Sequence, residues 1–100
     1  MMRKAFKRRL RQFMISTSER QSVFLKNLEE QGCPTRSGTL SKWLNVDERL
    51  VPDAIELMAI ARIKNPGDTG DEEDQISMDY ILGKRPAKTE AERHIEKRTK

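Results

Sequence analysis

Residues 36–45 divide into an apolar side and a polar side when they are placed on a helix. The apolar side has the i, i+3, i+4 spacing of a buried helix face and consists of Leu40, Trp43 and Leu44. The opposite side combines small polar groups with two cations and has no carboxylate: Arg36, Ser37, Gly38, Ser41, Lys42 and Asn45. Such a face can hydrogen-bond to the bases and phosphates of a duplex, because no negative charge on it repels the polyanion. The same pattern also suits an ordinary amphipathic helix whose polar face is solvated.

The polar residues of this segment suit different contacts with a duplex. The forked guanidinium of Arg36 matches O6 and N7 of guanine, a bidentate contact worth about 1–3 kcal/mol of discrimination. The Ser41 hydroxyl can bind a base edge, and Gly38 permits a close approach of the helix. Lys42 and Asn45 are better suited to phosphate. Trp43, the sole tryptophan, is predicted to anchor the helix to the core from behind.

The 100-residue chain has a net charge of +4 that is unevenly distributed. Residues 1–45 carry a balance of +7, residues 46–83 a balance of −7 and residues 84–100 a balance of +4. Most of the positive charge of the first part lies in one run without acids: Arg3, Lys4, Lys7, Arg8, Arg9 and Arg11. A basic half is the electrostatic footprint of a polyanion-binding surface. We therefore expect this run to contact phosphates, with a solvated helix face as the alternative.

The composition disfavours several classes of function. One cysteine, Cys33, and one histidine, His94, cannot supply an intrachain disulfide or the usual four-ligand zinc site. No Ser/His/Asp set or phosphate-binding glycine loop is present, so we expect no enzyme, no cofactor and no small-molecule substrate. The longest apolar run, residues 57–61, is far shorter than the ~18 residues of a membrane span. These features predict a cytoplasmic protein without a membrane partner.

Two helices are predicted before the segment with the polar face. A single apolar stripe runs along residues 3–15 and consists of Phe6, Leu10, Phe13 and Met14. Residues 16–18 break this pattern. Ser18 followed by Gln21 has the spacing of a capping box and predicts the start of a second helix, which Gly32 ends.

Three further helices complete an all-α fold without strands. Thr35 or Ser37 can cap the third helix, which carries the polar face. Pro52 fits the first turn of a fourth helix, which is apolar on two faces and is therefore expected to be central. Ser77 caps a short fifth helix that Gly83 ends.

Two segments are predicted to lie outside the helical body. Residues 65–75 carry five acids with proline and glycine, and are interpreted as a loop. Residues 84–100 contain few apolar groups and are interpreted as a charged, flexible, disordered tail. The predicted organisation is a helix-turn-helix domain over residues 1–83 followed by this tail over residues 84–100.

Three ordered segments resemble the DNA-binding domain of the Cro/C1-type (Xre) repressors: residues 38–45 (GTLSKWLN), 52–61 (PDAIELMAIA) and 76–83 (ISMDYILG). The resemblance implies a five-helix, lambda-repressor-like bundle that binds operator DNA as a dimer. It also implies that the bases are contacted by Arg36, Ser37, Ser41 and Lys42. At the start of the second helix, it implies that phosphates are contacted by Ser18 and Gln21. The connection through residues 32–34 is longer than the family's tight turn. The positions on the third helix that contact bases can therefore differ by a residue or two from those that the family's pattern gives.

The candidate site residues form three sets. The candidate base contacts are Arg36, Ser37, Gly38, Ser41 and Lys42. The candidate phosphate contacts are Arg8, Arg9, Arg11, Ser18, Gln21, Thr35 and Asn45. The candidate dimer contacts, from the apolar edge of the fifth helix, are Met78, Ile81 and Leu82.

These features favour a sequence-specific regulator of transcription that binds double-stranded DNA. The expected form is a small phage or prophage repressor, a homodimer on a palindromic operator whose half-sites lie one helical turn apart. The same charge distribution also fits a protein-interaction module, such as an antitoxin-type regulator whose basic half binds an acidic protein.

Overall fold

The computed structural model describes residues 3–63 and 76–99, and side chains as far as residue 97. Within these ranges the regular secondary structure consists of helices without strands, which confirms the all-α class. The helices are α1 (Arg3–Ser18), α2 (Gln21–Glu30), α3 (Ser37–Leu44), α4 (Ala54–Ala61), α5 (Met78–Ile81) and α6 (Glu90–Thr99). The acidic segment 65–75, interpreted above as a loop, lies outside the described residues. None of the described helices has the length and apolar composition needed to span a membrane.

Helix α1 is the centre of the fold and contacts α2, α3, α5 and α6. Its predicted apolar stripe is buried, as are the apolar faces of α2 and α3 that pack around it. Phe13 of α1 and Phe24 of α2 meet edge to face, with ring centroids 6.2 Å apart. The hydrophobic core therefore forms around α1, the longest helix.

The junction between α1 and α2 differs from its prediction. Residues 16–18 do not break α1, because the Thr17 hydroxyl donates to the Phe13 carbonyl and so fits inside the helix. The predicted capping box is also wrong: the N-cap of α2 is Arg20, without a side-chain cap. The chain reverses at Glu19, whose φ of 68° is left-handed.

Glycine and serine mark several helix ends as predicted. Gly32 follows α2 and Gly83 follows α5, both with φ of 79°, where a residue without Cβ is favoured. Ser77 caps α5, since its hydroxyl accepts a hydrogen bond from the Asp79 amide. These positions confirm the local sequence interpretation.

The predicted starts of α3 and α4 need correction by one or two residues. Arg36 is the N-cap of α3 and no side chain caps it, so neither Thr35 nor Ser37 takes that role. Asp53 is the N-cap of α4 and forms a reciprocal capping box with Glu56. Pro52 therefore precedes α4 instead of lying in its first turn.

The position of α4 also differs from its prediction. Ala59 and Ile60 are buried, but Ile55 and Met58 are 74% and 56% exposed. The helix is only eight residues long and packs through one side, so its second apolar face meets solvent. Helix α4 is thus peripheral. The central position that the sequence predicted for α4 is occupied by α1.

The segment after Gly83 is not a free tail over its described residues. Helix α6 packs on α1 and buries Ile95. The carboxylate of Glu92 is fully buried and accepts two hydrogen bonds of 2.8 Å from Arg85. It also accepts hydrogen bonds from the backbone amides of Ser77, Lys88 and Thr89. Ile95, Ala87 and the buried Glu92 carboxylate help to dock this segment, and so few groups leave no clear signal in the composition.

Candidate nucleic-acid interface

The polar face predicted on α3 is exposed in the structure. Solvent reaches the side chains of Arg36, Ser37, Ser41, Lys42 and Asn45, and the backbone of Gly38. The opposite face, with Leu40, Trp43 and Leu44, is buried against α1 and α2. Burial of Trp43 confirms the predicted core anchor. The helix consequently presents to solvent a face that bears no carboxylate.

The dimensions of α3 suit a DNA groove. An α-helix with its side chains is about 10–12 Å across, which fits the ~12 Å width of the major groove of B-DNA. Gly38 has no atom within 4 Å of the position where a Cβ would stand, so the helix surface is open there.

Lys7 of α1 holds the C-terminal end of α3. Its side chain is fully buried, and Nζ donates hydrogen bonds of 2.6 Å to the carbonyl oxygens of Lys42 and Leu50. Burial lowers the pKa of Lys7, aided by the charge of Arg3 and opposed by that of Glu48. An ammonium at a helix C-terminus is favourable because the last carbonyls lack partners within the helix. Lys7 is therefore a structural residue and not part of the exposed basic run.

The sequence contained a signal for this role. Lys7 lies three residues before Leu10 and seven before Met14, on the apolar stripe of α1. A lysine on that stripe is either at the margin of the core or inside it with partners. The position of its carbonyl partners depends on how α1 and α3 pack.

Arg8 and Arg11 lie beside the α3 face. Together with Gln21, Ser41 and Asn45 they line an open cleft of about 380 Å³. The Ser41 hydroxyl and the Gln21 side-chain oxygen are 3.3 Å apart, so the start of α2 meets the middle of α3. Five candidate residues from three helices are thereby brought together, and two of them are arginines that suit phosphate.

Arg9 lies outside this cleft. Its Nη1 donates a 3.0 Å hydrogen bond to the Tyr80 carbonyl, and its guanidinium carbon is 4.9 Å from the centre of the Tyr80 ring. Its Nε lies 3.8 Å from a carboxylate oxygen of Glu96. Successive helix residues point about 100° apart, so Arg8 and Arg9 serve different neighbours. The structure does not bring Arg9 to the other candidate phosphate contacts.

Two other candidate phosphate contacts are engaged within the protein. Ser18 is buried, and its hydroxyl accepts a 2.8 Å hydrogen bond from Nδ2 of the Asn27 side chain. This burial corrects the Ser18 prediction, because the hydroxyl has no open side toward a ligand. Thr35 is half-buried and its hydroxyl donates to the Cys33 carbonyl in the connection between α2 and α3.

The candidate dimer contacts on α5 are also mostly internal. Ile81 is buried in the core of its own chain, and Met78 and Leu82 pack against that core. The Ile81 prediction is therefore corrected: the apolar edge of this short helix faces inward. Tyr80, next to it, is fully buried and its hydroxyl donates to Glu96 at 2.5 Å. Burial and this carboxylate raise the pKa of Tyr80 well above its ordinary value.

The described residues include no group of three His, Cys, Asp or Glu spaced to hold a metal ion.

Comparison with family models, curated proteins and solved structures gives no match to the chain. The resemblance of residues 38–83 to Cro/C1-type repressors stays a prediction. Function is therefore inferred from α3 and the cleft beside it.

Proposed function

We propose that this chain is a sequence-specific regulator of transcription that binds double-stranded DNA with α3 in the major groove. One observation carries the proposal: the exposed, carboxylate-free face of α3 adjoins a cleft lined by Arg8 and Arg11. The groups proposed to contact bases therefore lie next to those proposed to contact phosphates, an arrangement that supports groove binding.

The proposed roles follow from the chemistry of each exposed group. Arg36, at the start of α3, donates to O6 and N7 of guanine. Ser41 and Ser37 contact base edges, and Gly38 permits close approach. Lys42 contacts either a base or a phosphate near the end of the helix.

The cleft supplies the phosphate contacts. Arg8 and Arg11 bind the backbone beside the groove, and Gln21 and Asn45 donate amide hydrogens to the same strand. These contacts fix the register of α3 on the duplex but carry no sequence information.

The proposed regulator is a Cro/C1-type repressor of phage or prophage type. It acts as a dimer on a palindromic operator and excludes polymerase from an overlapping promoter. The two copies place their α3 helices in successive major grooves, about 34–36 Å apart.

Selection of binding sites from random duplexes tests this function. We expect the wild-type chain to enrich a two-fold symmetric sequence. The variant Arg36→Ala/Ser41→Ala should lose about 1–3 kcal/mol of discrimination at one base pair of each half-site. Lys97→Ala, which removes an exposed charge on α6, is the control and should enrich the wild-type sequence.

Circular dichroism should first establish that the double variant folds. A folded double variant that enriches the unchanged wild-type sequence would contradict the role of α3. Absence of binding to any duplex at low salt would instead favour an acidic protein as the partner of the basic surface.

A further inference from the structure

Ser41 of α3 and Gln21 of α2 meet at the cleft beside the polar face. Ser41 is exposed, and its hydroxyl donates a 3.3 Å hydrogen bond to Oε1 of Gln21, the first residue of α2. A serine hydroxyl has one hydrogen and two lone pairs. Because the hydrogen is directed at Gln21, the Ser41 oxygen presents only lone pairs to a further partner.

The side-chain amides that line this cleft are turned with their oxygens toward other groups of the protein. Oε1 of Gln21 accepts from the hydroxyl on α3, and Oδ1 of Asn45 accepts a 3.0 Å hydrogen bond from the Asp47 backbone amide. The nitrogens of both amides are donors. Arg8 and Arg11, which line the same cleft, also have donors only. A phosphate group, whose oxygens accept hydrogen bonds, suits such a cleft.

A phosphate in the cleft stabilises the orientation of Gln21 that Ser41 requires. Phosphate favours the orientation in which Nε2 of Gln21 faces it, and this orientation leaves Oε1 on the side of Ser41. The reverse orientation would turn a carbonyl oxygen toward the phosphate and leave that contact without a hydrogen. The proposed phosphate contact of Gln21 and its hydrogen bond with Ser41 therefore depend on the same arrangement of the amide.

We propose that Ser41 recognises the exocyclic amino group of adenine or cytosine in the major groove, with its hydroxyl oxygen as the acceptor. N6 of adenine and N4 of cytosine are donors there, whereas O6 of guanine and O4 of thymine are acceptors, which need a hydrogen that Ser41 has given to Gln21. This inference rests on the proposed function and adds the kind of base that the central position of α3 selects.

The position of Ser41 on α3 leaves its oxygen accessible to a base edge. It lies three residues after Gly38 and four before Asn45, so the three share one side of the helix. Gly38 has no side chain to shield the hydroxyl from the groove. Every base pair carries one amino base and one base with an oxygen in its place, on opposite strands. The proposal therefore fixes the strand that Ser41 contacts.

Removal of single groups from the DNA tests the proposal. Site selection with Ser41→Ala should flatten the preference at one base pair of each half-site, which identifies the pair that Ser41 contacts. In synthetic duplexes, purine in place of adenine, or pyrimidin-2-one in place of cytosine, removes the amino group of that pair. On the opposite strand, 5-methylpyrimidin-2-one in place of thymine, or 2-aminopurine in place of guanine, removes the oxygen.

The comparison with Ser41→Ala separates the contact from the weaker base pairing of the altered duplexes, which affects both proteins alike. Loss of the amino group should weaken binding of the wild type about threefold to tenfold more than binding of Ser41→Ala. Loss of the oxygen should affect the two proteins equally. Lys97→Ala, at an exposed position of α6, is the control and should behave like the wild type.

Variants of Gln21 test the origin of the selectivity. Gln21→Glu has acceptors only, so Ser41 still donates to it, and the dependence on the amino group should persist although the added charge lowers affinity for every duplex. Gln21→Ala removes the acceptor, so the Ser41 hydroxyl is released from Gln21 and the dependence on the amino group should fall.

Three results would overturn the role of Ser41: a Ser41→Ala variant that selects the wild-type sequence with every preference intact, equal effects of amino-group removal on the wild type and Ser41→Ala, or a Gln21→Glu variant without the amino dependence. Specific binding that depends on the oxygen of the pair removes this role alone and leaves the proposed function standing. Absence of binding to any duplex removes the proposed function, and the role of Ser41 with it.

Discussion

The Nζ atom of Lys7 lies 2.6 Å from the carbonyl oxygen of Lys42, in the last turn of the helix that we propose enters DNA. The two residues are 35 positions apart in the chain. Because Nζ is buried, this bond is shielded from water and fixes α3 to α1. Arg8 and Arg11 extend from the same helix, so Lys7 also sets their position relative to α3.

Replacement of Lys7 by methionine should destabilise the fold. It leaves the carbonyls of Lys42 and Leu50 without their donor, and we expect the free energy of unfolding to fall by about 1–3 kcal/mol. Urea denaturation followed by Trp43 fluorescence measures this change. Lys4→Met, at an exposed position of α1, is the control and should stay within about 0.5 kcal/mol of the wild type. Equal stability of both variants would contradict the structural role of Lys7.

Replacement of Arg8 or Arg11 by alanine should weaken binding to all duplexes alike. Each substitution removes one proposed phosphate contact, so the slope of log affinity against log salt should fall by about 0.9 in magnitude. Titration of labelled duplexes over a series of salt concentrations measures the slope, with Lys97→Ala as the control. A loss confined to one operator sequence would argue against phosphate contact.

Replacement of Arg9 by alanine should lower the stability of the fold and leave the salt dependence of DNA binding unchanged. The hydrogen bond to the Tyr80 carbonyl and the contact with the Tyr80 ring are lost, which should cost about 1–3 kcal/mol of folding free energy. The salt slope of DNA binding should not change at a temperature where the variant is folded. Measurement of both quantities on Arg8→Ala and Arg9→Ala separates the two neighbours. A reduced slope for Arg9→Ala would return Arg9 to the DNA interface.

The buried Glu92 carboxylate predicts a loss of stability in acid. Burial alone would raise the pKa of Glu92, but hydrogen bonds from Arg85 and the amides of Lys88, Ser77 and Thr89 outweigh it and hold the pKa below its ordinary value. A carboxyl group with a lowered folded pKa stabilises the protein above its unfolded pKa. That stabilisation is lost as the pH falls from about 4.5 through the folded pKa.

Glu92→Gln should therefore lower the free energy of unfolding at neutral pH by about 1.5–3 kcal/mol. The difference from the wild type should shrink as the pH falls below about 4.5. Urea denaturation at a series of pH values measures both effects, with Glu90→Gln in the exposed first turn of α6 as the control. A constant difference at every pH would show that Glu92 does not titrate in this range.

The amino-acid pattern predicted the features that depend on neighbours within a few residues. The buried sides of α1 and α3 follow from the spacing of apolar groups, and Trp43 lies where that spacing puts it. Gly32 and Gly83 end helices because a left-handed backbone favours a residue without Cβ. The carboxylate-free face of α3 was visible for the same reason, since one helical turn decides which side chains share a side.

Only the tertiary structure determined that three neighbouring cationic residues have different surroundings. Lys7 is buried against α3, Arg8 lines the cleft and Arg9 lies on Tyr80, 71 positions away. The same dependence explains why α6 docks through Glu92 and why Ile55 stays exposed. These outcomes depend on which helix packs on which, and contacts between distant residues leave no periodic signal in the chain that makes them.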